Sequence, residues 1–313
     1  MTAAARVVLA ALVSASAALT GCAASASGAS PHAVSPPAAV QPVADLKTPT
    51  SAHVTKVLVV VLENSSRRHA TVGLPHLTSL AGQYGTATNY RAASHPSLPN
   101  YLALAGGSTF GVGDDAGPSA HPVHGASVFD QAIAAGRTAK TYAESMPSPC
   151  ALAPSGRYAV KHNPWVYFSD PASRAACRRG DVPAGTTRAG ALHDDIARGT
   201  LPDVGLIVPD LCDDAHDCPL PVADHWLAGW LDAVRQGPDW RSGRLAVVVS
   251  FDEDDHSQGN QVLTAVLAPV LHHRTATVAL DHYSTTRWWD TVIAARPLRS
   301  AAGARSLGAA FGL

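Results

Sequence analysis

The sequence predicts an α/β fold with a mostly parallel central sheet and helices on both faces. Apolar runs rich in β-branched residues at 56–63, 204–210 and 244–251 have the composition of strands buried on both faces. Stretches with helical periodicity alternate with these runs, which is the pattern of an α/β sheet. With 313 residues, 46% of them hydrophobic, the chain can bury a full core in one large domain or two small ones.

The elements follow in order along the chain. The strand at 56–63 ends in an acid, and a helix at 74–84 and a strand around 87–92 lead through a loop into a helix at 98–105. The segment 150–177 lacks periodicity and predicts an irregular insertion that lines the site. The other predicted elements are helices at 127–135, 192–198, 223–235 and 283–295 and strands at 138–144, 204–210, 244–251 and 262–271.

Residues 1–22 resemble a lipoprotein signal peptide. Arg6 precedes an apolar run at 7–19 that is too short to span a membrane as a mature helix. The run ends in Leu-Thr-Gly-Cys, which resembles a bacterial lipobox with Cys22 as the lipidated residue. We therefore expect export, with anchoring in the cell envelope through Cys22 or, alternatively, plain secretion. Membrane contact would then come only from the lipid anchor.

An Ala-, Ser- and Pro-rich tether at 23–54 precedes the predicted catalytic domain at 55–313. The domain contains an even number of cysteines, Cys150, Cys177, Cys212 and Cys218, as expected in an oxidising compartment. Proximity in sequence favours the pairs Cys150–Cys177 and Cys212–Cys218. A zinc site is the alternative, but no C-x2-C spacing supports it.

The charge balance argues against a nucleic-acid partner. The chain has 23 Lys and Arg against 24 Asp and Glu, a formal net charge of −1, and so lacks the basic excess of a nucleic-acid-binding domain. It also contains 15 His, several of them beside carboxylates. This is compatible with metal or phosphate chemistry.

Ser97 is predicted to cap the helix at 98–105, because Ser is a good N-cap residue and Pro99 is tolerated in a first helical turn. A hydroxyl at this place faces unpaired backbone N–H groups and the positive end of the helix dipole, both of which favour a phosphate. Taken alone, a Ser before Leu-Pro is more often an ordinary cap. Acidic residues elsewhere favour the functional interpretation.

Three predicted strands end in acids: Glu63, the group at 210–214, and the pair Asp252 and Glu253. A parallel sheet gathers such ends at one edge, where unpaired carboxylates repel each other unless a cation holds them. Each acid taken singly is compatible with a cap or a solvated turn. Their convergence predicts a divalent metal: oxygen ligands suit Mg²⁺, Ca²⁺ or Mn²⁺, and the His residues also allow Zn²⁺ or Fe.

Five short motifs span nearly the whole predicted domain: Glu-Asn-Ser at 63–65, His-Pro-Ser-Leu-Pro-Asn-Tyr at 95–101, Pro-Asp-Leu-Cys-Asp-Asp-Ala-His-Asp-Cys at 209–218, Phe-Asp-Glu-Asp-Asp at 251–255 and His-Tyr-Ser at 282–284. Together they resemble the bacterial phosphoesterase family of the alkaline phosphatase superfamily. That family groups acid phosphatases, phosphatidylinositol-phosphate phosphatases and nonspecific phospholipases C. The resemblance runs from about residue 56 to residue 313 and implies an alkaline-phosphatase-like fold.

The resemblance also implies roles for individual residues. Ser97 would be the nucleophile that takes the phosphoryl group, and Asn100 would contact a phosphate oxygen. His95 and His162 are further candidate phosphate contacts, with structural roles as the alternative. Glu63, Asn64, Asp252 and Glu253 would hold the metal that activates Ser97. Asp214, His216 and His282 would either complete a second metal site or bind the phosphate directly.

The sequence therefore predicts an exported, metal-dependent phosphomonoesterase of acid phosphatase type that acts through a phosphoserine. Its substrate would be a small-molecule or lipid phosphate ester, and no oligomeric state is predicted. One alternative is a phosphodiesterase of phospholipase C type, if a pocket beside His162 and Trp165 accepts a second substituent. The other is a non-catalytic lipoprotein that binds phosphorylated ligands.

Overall fold

The computed structural model describes residues 54–313 of the chain. The predicted signal peptide, Cys22 and the tether up to residue 53 lie outside the described residues. Within residues 54–313, no helix is both long enough and apolar enough to cross a membrane.

The centre of the domain is a mostly parallel sheet, as predicted. The strands are β1 (Lys56–Leu62), β2 (Gly85–Ala87), β3 (Tyr90–Arg91), β4 (Ala139–Ala143), β5 (Asp181–Pro183), β6 (Val204–Val208), β7 (Leu245–Phe251), β8 (Thr264–Leu267), β9 (Arg274–Ala276) and β10 (Leu280–Asp281). Eight of them form one sheet in the order β5-β4-β6-β1-β7-β8-β2-β9, and β3 pairs with β10. Within the large sheet only β8 runs antiparallel to its neighbours.

The helices pack in two groups on this sheet. They are α1 (Arg67–Gly73), α2 (Pro75–Gln83), α3 (Ser97–Gly106), α4 (Val128–Ala134), α5 (Pro171–Gly180), α6 (Ala191–Arg198), α7 (Leu220–Gln236), α8 (Pro238–Arg241), α9 (His282–Val292) and α10 (Leu307–Phe311). In one group α7 packs against α1, α2, α6 and α8, and in the other α9 packs against α3, α4 and α10. Short 3₁₀ turns lie at Val160–His162, Pro164–Tyr167 and Arg299–Ala302.

The strands β6, β1 and β7 lie side by side and in parallel at the middle of the sheet. Val60 of β1 is in register with Ile207 on one side and Val249 on the other. All residues of β6 and β7 are buried, and so are all of β1 after its first residue, because helices cover both faces of the sheet. The carboxyl ends of these strands therefore open at one edge.

Some elements differ from the sequence prediction. Helix α3 begins at Ser97, and Pro96 occupies the cap position without a side-chain cap bond, so Ser97 is the first helical residue and not the cap. The strand predicted around 87–92 is two short strands, β2 and β3. The insertion at 150–177 also contains the start of α5, because Pro171 favours the first helical turn.

Both predicted disulfides are present. Cys150 is bonded to Cys177 across the insertion, and Cys212 is bonded to Cys218 in the loop that follows β6. Each bond thus closes an irregular segment next to the carboxyl edge of the sheet. The irregular backbone there is restrained by covalent bonds in addition to packing.

Candidate active site

Carboxylates from three neighbouring strand ends converge at the carboxyl edge of the sheet. Glu63 follows β1, Asp252 follows β7, and Asp214 lies in the loop after β6. Backbone hydrogen bonds continue past the strands: the Asp252 N–H donates to the Leu62 carbonyl and the Glu63 N–H donates to the Asp214 carbonyl, both at 2.8 Å. Each of the three acids is at most 1% exposed. The order of the strands and the loop after β6 thus bring three buried carboxyl groups together.

Ser97 lies directly against this carboxylate group. Its Oγ donates a hydrogen bond to Glu63 Oε2 at 3.1 Å. The Tyr101 hydroxyl donates to the other oxygen of the same carboxylate, Oε1, at 2.7 Å. Ser97 and Tyr101 are four residues apart in α3 and so lie on one face of the helix. This face of α3 therefore holds both oxygens of Glu63.

His162 lies between two of the acids. Its Nε2 is 3.2 Å from Glu63 Oε1 and its Nδ1 is 3.1 Å from Asp214 Oδ2, and the ring stacks on Tyr101 with 5.2 Å between centroids. Neither nitrogen is aligned for a hydrogen bond. Burial, with the charges of Lys161 and His216, lowers the pKa of His162 well below its usual value. The lowered pKa favours the neutral ring, which is the form in which an imidazole binds a metal.

The carboxyl groups repel each other in the absence of a cation. Burial, with the charges of Asp252 and Asp214, raises the pKa of Glu63 well above its usual value. Burial also raises the pKa of Asp214 to about 8 and that of Asp252 to about 6, although hydrogen bonds to both groups oppose this. These are the shifts expected when acids are placed together away from water.

The residues of this site fit a divalent cation. Ligand atoms of Glu63, His162 and Asp214 all lie within 4.8 Å of one another. Asp214 Oδ2 and Asp252 Oδ2 are buried and have no hydrogen-bond partner in the described part of the chain. A buried acceptor without a partner costs free energy, which a bound cation would offset. The donor set of carboxylate oxygens and one imidazole suits Mg²⁺, Mn²⁺, Ca²⁺, Zn²⁺ or Fe.

Asn64 closes the same side of the site. Its backbone N–H donates to Asp252 Oδ1 at 3.0 Å, and its Nδ2 donates to Glu63 Oε2 at 3.2 Å. The backbone φ of Asn64 is 51°, a left-handed conformation that Asn tolerates better than most residues. Asn64 thus turns the chain at the end of β1 and keeps its side chain beside Glu63.

The structure does not bring Asn100 into position to contact a phosphate. Asn100 Oδ1 accepts the N–H groups of Ala93 and Ser94, and its Nδ2 donates to the carbonyls of Ser94 and Pro96. The side chain is 1% exposed. Asn100 therefore fixes the loop that leads to Ser97, with its polar atoms already used.

Glu253 and His95 form an outer layer of the site. His95 Nδ1 lies 2.9 Å from Glu253 Oε2, and the His95 ring stacks on His256 with 4.1 Å between centroids. Burial, with the charge of Asp252, raises the pKa of Glu253 to about 8. No contact links either side chain directly to Ser97 in the described residues.

The structure gives His282 a supporting position. Its Nε2 is 2.7 Å from the Asp252 carbonyl and its Nδ1 is 3.1 Å from the Tyr90 hydroxyl, so both ring nitrogens already have protein partners. His282 thus holds the backbone of Asp252 in place, and neither of its ring nitrogens is free to bind a metal or a phosphate.

His216 lies at the edge of the site. Its Nδ1 is 2.7 Å from Asp217 Oδ1, and its Nε2 is 3.5 Å from Lys161 Nζ. Lys161 Nζ is in turn 3.4 Å from Ser97 Oγ and donates to Asp115 Oδ2 at 2.9 Å. Burial lowers the pKa of Lys161, but the hydrogen bond and charge of Asp115 and the charge of Glu63 raise it overall, so the ammonium stays charged.

Three residues of this site were not predicted from the sequence: Tyr101, Asp115 and Lys161. Two signals were available, since Tyr101 ends the Ser97 motif and Lys161 precedes His162. Asp115 lies in a segment without periodicity and offers no such signal. His162 and Trp165, beside which a second substituent would have to fit, are both fully buried.

The fold is similar to that of a solved protein of the alkaline phosphatase superfamily. The structure superposes on a Vibrio parahaemolyticus protein of that superfamily with a TM-score of 0.50 and 11% identity, over 78% of this chain and 68% of the other. A lipoteichoic acid synthase of Listeria monocytogenes gives a TM-score of 0.51 with 9% identity, over 78% and 73% of the two chains. At such identities the similarity concerns the fold alone.

The chain belongs to the Phosphoesterase family, whose profile matches residues 54–286. It is 31% identical to a phosphatidylinositol-3-phosphatase of Mycobacterium tuberculosis over 244 residues, 75% of each chain. It is 32% identical to a phosphate-repressible acid phosphatase of Penicillium chrysogenum over 65% of this chain and 49% of the fungal one. An acid phosphatase of Aspergillus fumigatus is 27% identical over 74% and 52%. The chain thus spans about half the length of these fungal relatives. Its family and its relatives show that it is a phosphoric ester hydrolase.

Proposed function

We propose that this chain is an exported, divalent-metal-dependent phosphomonoesterase of acid phosphatase type, with Ser97 as its nucleophile. The observation that carries the proposal is the 3.1 Å hydrogen bond from Ser97 Oγ to Glu63 Oε2, inside a buried group of carboxylates with unpartnered oxygens. A serine hydroxyl held against such a group is in position to lose its proton as it attacks.

Glu63, Asp252, Asp214 and His162 would hold the metal, with Asn64 beside them. When bound, a divalent cation favours the alkoxide form of a serine and offsets the charge of the phosphate. Glu63 keeps the Ser97 oxygen at this place, and Tyr101 fixes the orientation of Glu63. The protein thus aligns the nucleophile before substrate arrives.

The proposed reaction has two steps at Ser97. In the first, the Ser97 oxygen bonds to phosphorus while the bond between phosphorus and the ester oxygen breaks. The alcohol leaves, and Ser97 becomes phosphoserine. In the second, water attacks the same phosphorus, releases phosphate and restores the hydroxyl. The charged Lys161 ammonium, 3.4 Å from Ser97 Oγ, would stabilise the negative charge of the transferring group in both steps.

Two further features support the finer points of the proposal. The named relatives are a phosphatidylinositol-3-phosphatase and acid phosphatases, which supports a lipid or small-molecule phosphomonoester as substrate. The two disulfides support export to an oxidising compartment, where the signal peptide and Cys22 would place the protein.

The test is a comparison of para-nitrophenyl phosphate with the bis-ester, with and without a chelator. We expect the monoester to be hydrolysed at least about tenfold faster, since Lys161 and a cation favour a dianion. Chelation should abolish the rate, and one of the five candidate metals should restore it. Preference for the bis-ester would instead indicate a phospholipase-C-like enzyme, and hydrolysis of neither would indicate a binding protein.

A further inference from the structure

Asp115, a carboxylate of the protein itself, accepts hydrogen bonds from two donors next to Ser97. Asp115 Oδ1 accepts the backbone N–H of Leu98 at 2.9 Å, and Asp115 Oδ2 accepts from Lys161 Nζ, also at 2.9 Å. Leu98 is the second residue of α3, so its N–H has no partner within the helix. The first donor belongs to the residue that follows Ser97, and Lys161 Nζ lies 3.4 Å from Ser97 Oγ.

These donors are suited to a phosphate oxygen. The Leu98 N–H lies at the positive end of a ten-residue helix. Lys161 adds a full positive charge, and its side chain is 21% exposed. Lys161 Nζ is also within 3.4 Å of Ser97 Oγ. An anion held by both donors would therefore touch the nucleophile.

Asp115 is less enclosed by the protein than the other acids of the site. Its side chain is 30% exposed, whereas Glu63, Asp214 and Asp252 are fully enclosed. Asp115 belongs to a segment between α3 and α4 that forms no helix or strand, and its charge contributes to the raised pKa of Glu253. Asp115 is thus partly exposed to solvent, and its charge acts on the acid Glu253.

We propose that Asp115 is an internal competitor for the substrate phosphate. The Leu98 N–H and Lys161 form a binding site for a phosphate oxygen, which Asp115 fills in the free protein and leaves when a phosphomonoester or inorganic phosphate binds. A phosphate dianion carries twice the charge of a carboxylate and more acceptor oxygens, so it displaces Asp115 from Lys161. This inference rests on the proposed function for its site.

A purely structural role for Asp115 predicts the opposite sign. If Asp115 only positions Lys161, then its loss should weaken phosphate binding. If Asp115 competes, its loss should strengthen phosphate binding. Phosphate then no longer has to break the two hydrogen bonds of Asp115 in order to bind. The sign of one affinity change therefore separates the two roles.

The experiment is calorimetric titration of inorganic phosphate into the metal-loaded full-length protein and its Asp115→Asn variant, with the KM for para-nitrophenyl phosphate as a second readout. We expect about fivefold tighter phosphate binding and a correspondingly lower KM in the variant. Asp114→Asn is the matched control, since it removes the same charge from a side chain that contacts Ala116 and His121. It should change the affinity less than twofold.

Lys161 is tested in parallel. Lys161→Met should weaken phosphate binding about tenfold or more, and Lys161→Arg should recover part of the loss. Weaker or undetectable phosphate binding in Asp115→Asn, or unchanged binding in Lys161→Met, would overturn the inference. Phosphate binding is measured without turnover, so tighter binding in a protein that hydrolyses no ester would disprove the proposed function and keep this inference.

Discussion

The hydroxyl of Ser97 donates its hydrogen bond to Glu63, which joins the first residue of α3 to the end of β1. The two residues are 34 positions apart in sequence, and two helices and two short strands lie between them. Glu63 also lies against His162, and the charges of Asp252 and Asp214 act on it. The contact therefore places the candidate nucleophile beside the candidate metal ligands Glu63, His162, Asp252 and Asp214.

Replacement of the nucleophile tests the core of the proposal. Ser97→Ala should lower kcat for para-nitrophenyl phosphate by at least about a thousandfold, because it removes the oxygen that attacks phosphorus in the proposed reaction. The substitution removes one hydrogen bond and should change the free energy of unfolding by only about 1 kcal/mol. Near-full activity in a folded variant would exclude Ser97 from the mechanism.

Neutralising Glu63 should have opposite effects on stability and on metal affinity. In chelated protein, Glu63→Gln removes a carboxyl group from the vicinity of Asp252 and Asp214, so we expect the melting temperature to rise by about 2–4 °C. With metal added, the variant should gain less stability than the wild type, because one ligand charge is lost. Thermal melts with and without cation measure both effects. An equal response to metal in the two proteins would remove Glu63 from the ligand set.

The Cys150–Cys177 bond should be needed for the geometry of the site. It joins cysteines 27 positions apart, and Lys161 and His162 lie between them. Loss of such a cross-link through Cys150→Ala with Cys177→Ala should cost about 3–4 kcal/mol. Denaturant unfolding and kcat are the measurements, and Cys212→Ala with Cys218→Ala is the control for loss of a shorter loop. Unchanged stability would show that packing alone holds the insertion.

Asp181 should make the stability of the protein depend on pH. It is fully buried, and burial raises its pKa to about 7 despite hydrogen bonds from Asn163 Nδ2 at 2.8 and 3.0 Å. Below pH about 4 both the folded and the unfolded states keep the proton. Between pH 4 and 7 only the folded state keeps it, so the free energy of unfolding falls as pH rises, by on the order of 4 kcal/mol.

The measurement compares wild type with Asp181→Asn across that pH range. The difference between the two free energies of unfolding isolates Asp181 from the other acids. We expect the wild type to lose stability relative to the variant from pH 4 to 7, and the difference to stay constant above that. A difference that does not change with pH would show that Asp181 titrates normally in the folded protein.

The convergence of the acids could be predicted because it depends on local patterns. Each of the runs that became β1, β6 and β7 is mostly apolar and is followed by acids, and parallel strands present their carboxyl ends at one edge. Asn100 and His282 could not be placed in the same way. Both belong to motifs of the resemblance, but their polar atoms are used by backbone groups that only folding brings near them.

The sequence by itself determined the α/β class, the two disulfide pairs, the acids at the strand ends and the serine at the start of α3, because these depend on periodicity, spacing and motifs along the chain. Only the tertiary structure decided that β6, β1 and β7 are neighbours, that His162 lies between Glu63 and Asp214, and that Asp115 reaches Lys161. These are contacts between distant segments. They depend on how helices and loops pack on the sheet, and no local pattern encodes that packing.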